Sequence, residues 1–62
     1  MINFMELKPG QRLALKEGAV AEVIENIGDG IWVQVRYIES PKSPSLVGSE
    51  ELLHCEEAVG LA

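Results

Sequence analysis

Apolar residues alternate with polar ones around Leu13 and Leu15, and again around Val33, Val35 and Tyr37. A period of two marks a half-buried strand, because successive side chains point to opposite faces. The first run, 11–16, follows the turn dipeptide Pro9-Gly10 and sends Arg12 and Lys16 toward solvent. The second, 31–38, is the cleanest alternation in the chain. Val33, Val35 and Tyr37 share one face; Trp32, Gln34, Arg36 and Ile38 share the other.

Between these runs, residues 19–27 carry Val20, Val23, Ile24 and Ile27, which breaks the period of two. Spacing of three and four suggests a helix with Glu22 and Glu25 outward, but β-branched residues dominate and the stretch is short, so it reads as a strand with a bulge near Val23-Ile24. Gly28-Asp29-Gly30 reads as a hairpin turn, since glycine takes positive φ at little cost. Two prolines and three serines make 39–45 a loop, and Gly48-Ser49 forms a further turn. The remainder reads as a strand through about Cys55, one helical turn around 56–59 and a short closing strand. An α+β alternative makes 50–59 a helix, with Ser49 as N-cap, Glu50 and Glu51 at its positive end and Gly60 at C′. Residues 1–7 are a segment that could pair as an extra strand, dock or fray. Residues 8–62 read as a single small β domain without internal repeats.

Length sharpens this picture. A 62-residue chain makes one domain, and at that size it buries only roughly 60% of the surface its unfolded form exposes. A second copy or a partner would relieve that thin margin. Ten acidic residues against five basic ones give a net charge of -5. Nucleic acid and anionic membranes, which call for a basic footprint, are disfavoured as partners. The single cysteine, Cys55, permits no intrachain disulfide, which fits a reducing compartment. The N-terminus lacks the basic region and apolar run of a secretory signal, and no window approaches a membrane span. The expected location is cytoplasmic.

Short strands, tight turns, one long loop and a late single turn resemble a five-stranded barrel of the Src-homology-3-like kind. KOW and Tudor-like modules share that architecture. The run Gly18-Ala19-Val20-Ala21-Glu22-Val23-Ile24, followed by Trp32-Val33-Gln34-Val35, is similar to their glycine-then-paired-strands core. The resemblance spans roughly 8–62 and implies a mostly β barrel with one short helical turn near its C-terminus. Gly48-Ser49 and the Ala58-Val59 region also look similar to the end of plasmid-encoded type II dihydrofolate reductases. That family places Val-Gln-Ile-Tyr directly after its Gly-Ser; here Glu50-Glu51-Leu52-Leu53 follows, so no functional residue carries over.

Candidate chemistry is sparse. His54 and Cys55 would point to opposite faces of a strand and so could not act together as base and nucleophile. No second histidine or cysteine completes a usual metal site. Glu50-Glu51 and Glu56-Glu57 read as solvated surface. Pro41-Lys42-Ser43-Pro44 has the spacing of an extended proline-rich ligand, but a proline-stiffened loop is the favoured reading. The stripe Trp32, Gln34, Arg36 and Ile38 is the strongest binding candidate, because exposed tryptophan and arginine are the residues of interaction hot spots. In the inverted register Trp32 would instead lie in the core. The expected function is a non-enzymatic interaction module, without cofactor or metal, that binds a protein partner or its own copy. A nucleic-acid-associated module of the KOW or Tudor-like kind and an oligomeric enzyme with a site shared between subunits are the alternatives.

Overall fold

A computed structural model describes residues 2–62. Among these residues, five strands form one antiparallel sheet: β1 (Arg12–Leu15), β2 (Val20–Asn26), β3 (Trp32–Glu39), β4 (Glu50–His54) and β5 (Ala58–Leu61). Single 3-10 turns lie at Phe4–Glu6, Lys16–Gly18, Pro44–Leu46 and Cys55–Glu57. The α+β alternative therefore fails, because 50–59 is a strand, a 3-10 turn and the start of a second strand. Glu50 to His54 pair with β3 and so gain their backbone bonds from a neighbour, where an isolated short helix would be marginal. No helix among the described residues is long and apolar enough to cross a membrane.

The strand order is β4-β3-β2-β1-β5. β4 and β5 are thus the two edges, joined by the Cys55–Glu57 turn without pairing to each other, and the sheet stays open where a closed barrel was expected. Among the described residues, nine form the core: Phe4, Leu7, Leu13, Leu15, Ala21, Val23, Val33, Val35 and Leu53. The alternation read from the sequence thus places Leu13, Leu15, Val33 and Val35 on the buried face. Tyr37 is half-buried against the same cluster.

The expected bulge in β2 organises one end of the molecule. Val23 faces Val35, but Glu25 faces Gln34, which leaves Ile24 as the extra residue. A bulge reverses the facing of every residue after it. Glu25 consequently turns outward, and Asn26 comes opposite the buried Val33. From there the Asn26 side-chain amide donates to the carbonyls of Phe4 and Leu7, both at 2.8 Å. Its Oδ1 accepts from the Gly28 N–H at 2.9 Å. The segment before β1 therefore docks on the sheet, with Phe4 and Leu7 in the core. Phe4 is only 2% exposed.

Candidate interaction face

The hairpin that launches β3 is fixed by one carboxylate. Asp29 Oδ1 accepts from the N–H groups of Ile31 (2.8 Å) and Trp32 (3.0 Å), while Gly28 and Gly30 adopt positive φ on either side. Those backbone donors hold the Asp29 carboxyl below its ordinary value, Trp32 contributing most. The side chain that fixes this turn therefore also fixes where Trp32 begins.

Trp32 lies on the outer face and is 38% exposed. It pairs across the ladder with His54, and the rings meet edge to face, centroids 4.9 Å apart at 81°. Gln34 is flanked by Leu52 on β4 and Glu25 on β2. Leu52 is 58% exposed, while its neighbour Leu53 points into the core. Arg36 lies between Glu50 and Glu22, and its Nη2 donates to Glu50 Oε2 at 2.6 Å. Arg12 Nε donates to Glu22 Oε1 at 3.2 Å, so opposite charges alternate across β4, β3, β2 and β1.

This geometry divides the stripe read from the sequence. Trp32 and Gln34 are joined by Leu52 and His54 into a mixed aromatic and aliphatic surface. Arg36 is on the same face, but its guanidinium is already held by Glu50. Ile38 is half-buried at a second irregularity, between the pairs Ala21–Tyr37 and Val20–Glu39. It lies about 20 Å from Trp32 along the strand. On the inner side, burial pushes the Tyr37 hydroxyl pKa up, with smaller contributions from Glu51 and Glu57.

His54 and Cys55 depart from the expected opposition. The strand ends at His54, and Cys55 opens the 3-10 turn, which brings its Sγ to 4.0 Å from His54 Nδ1. The same Nδ1 accepts the Glu56 N–H at 3.1 Å and caps the turn. A nitrogen committed to a backbone donor is not free to take a thiol proton. Among the described residues, no cluster of His, Cys, Asp and Glu side chains has the grouping that holds a metal. A groove of about 700 Å³ runs between the N-terminal segment and the β4–β5 turn, lined by Phe4, Cys55 and Ala58 together with Lys16 and Glu56. Pro44 opens its own 3-10 turn within the mostly exposed 40–49 connection, as a loop proline does.

No family model, curated protein or solved structure matches the chain. The residues absent from the sequence-based site are Glu50, Leu52 and His54. Their signal is the alternation of 50–54, which becomes informative only once the β3–β4 register shows which side each residue takes.

Proposed function

We propose that this chain is a non-enzymatic protein-interaction module, a small Src-homology-3-like β unit that docks through the outer face of β3 and β4. The observation that carries this reading is the half-exposed Trp32, seated edge-on against His54 beside the exposed Leu52. A large aromatic fixed by a neighbour loses little freedom on binding, which is what makes such residues effective anchors. The short strands, tight turns and late 3-10 turn support the barrel-like affinity, although the sheet is open.

Nucleic-acid binding has less support. Arg12, Lys16 and Arg36 are already paired with Glu22, Glu57 and Glu50. Few cations are left to replace the counterions of a phosphate backbone.

Light scattering on size-separated protein at several concentrations, for the native chain and Trp32→Ala, tests the proposal. A larger species in the native chain should dissociate in the variant, whose thermal transition should fall by only a few degrees. A variant that unfolds outright, in a chain with no association to lose, would make Trp32 a structural residue and end the proposal.

A further inference from the structure

Among the described residues, strand β4 has a free edge whose hydrogen-bonding groups can be assigned residue by residue. The β3–β4 ladder is bounded by Cys55 N–H donating to Ile31 O at 2.8 Å and Tyr37 N–H donating to Ser49 O at 3.0 Å. In an antiparallel pair, alternate residues turn their N–H and C=O groups toward the partner. With the register fixed at Val33–Leu53 and Val35–Glu51, Glu51 and Leu53 bond inward to β3. The backbone groups of Glu50, Leu52 and His54 therefore face away from the sheet. The other edge is less regular: in β5, Ala14 pairs with Gly60 and Leu15 with Ala58, so Val59 is an extra residue that interrupts the row.

We infer that a second copy of this chain adds to β4, antiparallel about a two-fold axis at Leu52, to make one continuous sheet. The inference rests on the outer-face reading above and specifies the partner and the contact. Self-pairing of β4 permits only a few registers that use the outward-facing groups. Centring on Glu50 or Glu51 sets a glutamate against its own copy, and like charges opposite each other are unfavourable. Centring on Leu53 leaves the outward groups of Glu50 unpaired. Centring on Leu52 joins Leu52 to Leu52 and Glu50 to His54 of the other copy, and every outward backbone group finds a bond.

The side chains suit that register. His54 Nδ1 accepts the Glu56 N–H, so the neutral ring carries its proton on Nε2. Among the described residues, that Nε2 makes no hydrogen bond. Glu50 uses Oε2 for Arg36 and keeps Oε1 as an acceptor. The edge thus presents a donor and an acceptor at equal distances from Leu52, and a two-fold axis sets each against the other. Trp32 holds the donor's ring in place.

The test combines backbone amide exchange with light scattering across a concentration series. Association should slow exchange at Glu50, Leu52 and His54 together, while Glu51 and Leu53 change little. Leu52→Pro removes an outward N–H together with the leucine side chain at the axis and leaves the β3–β4 bonds in place, at a position where an edge strand tolerates proline. Each dimer would lose two bonds, for about a 30-fold weaker association. Leu52→Lys, which keeps the backbone donor and places two cations together at the axis, should also dissociate the pair. Its exposed site makes it a control should the proline variant misfold.

A chain that stays monomeric throughout overturns the inference. So does a dimer whose β4 amides exchange as fast as in the monomer. If that dimer is lost in Trp32→Ala, the copies pack face to face and the outer-face proposal survives without the edge pairing. A dimer that the Trp32 and Leu52 variants all leave intact removes both.

Discussion

Val33 and Trp32 are neighbours on β3, yet their surroundings follow different rules. Val33 is sealed between Asn26 and Leu53 on the inner face. Trp32 stands on the outer face with a single aromatic neighbour across the ladder. Inside, position is set by volume: the buried residues are mostly small or branched aliphatics that must fill a thin core without voids. Outside, position is set by matching of charge and shape, as in the row of Glu50, Arg36, Glu22 and Arg12. A domain this small keeps its stability on one face and leaves the other toward solvent.

The strongest way to break that contrast is to cut into the inner face. Val33→Ala should cost about 2–3 kcal/mol, since it removes two buried methyl groups and leaves a cavity that a rigid sheet cannot close. In a chain of this length that corresponds to a fall of roughly 10 °C or more in Tm. Trp32→Ala removes a far larger side chain and should still cost less stability. Thermal unfolding of the two variants side by side checks the ordering, and a greater loss for Trp32→Ala would erase the division between the faces.

A smaller effect sharpens the comparison at the place where the inner face becomes polar. Asn26 reaches the inside only because of the bulge at Ile24, and there it donates to the Phe4 and Leu7 carbonyls. Asn26→Ala should cost about 1–2 kcal/mol, the net worth of two partly shielded hydrogen bonds. The loss should be local as well as global. Amide exchange in residues 4–7 should accelerate more than in β3, and limited proteolysis should shift toward that segment. Uniform acceleration along the chain would mean that Asn26 supports the whole sheet instead.

The two-faced pattern was legible in the sequence because a period of two around Leu13, Leu15, Val33 and Val35 needs no long-range information, but for β3 it left open whether the Val33 face or the Trp32 face is the buried one. The bulge was legible too, from Val23 and Ile24 standing side by side. What burial did with that bulge was not: turning Asn26 inward matters only because Phe4 and Leu7 arrive from a segment whose placement no local pattern determines. The outer face was half legible. Its parity was plain, but cross-strand partners depend on where β4 resumes after the 40–49 connection, and loop length leaves that register open. Leu52 and His54 were therefore not joined to the Trp32 stripe, and Arg36 looked freer than Glu50 leaves it. Openness of the sheet was equally hidden, since strand count does not determine whether the edges meet.

The smallest expected effect concerns the turn that delivers Trp32 to its face. Asp29 accepts from the Trp32 and Ile31 N–H groups, and these bonds keep its carboxyl below the ordinary value. A depressed carboxyl in the folded state means that its contribution is present above the ordinary carboxylate range. That contribution is lost as the pH falls through the depressed value, because the unfolded chain then takes up the proton more readily. Unfolding measured along an acid series should therefore show a decline at the low end that Asp29→Asn lacks, while the two proteins keep a constant offset near neutrality. Asp29 is fully solvent-facing, so the effect should be slight and confined to that window. Trp32 fluorescence recorded in the same series localises it. If the indole environment changes before the sheet unfolds, the hairpin loosens first and the outer face loses its anchor while the inner face still holds.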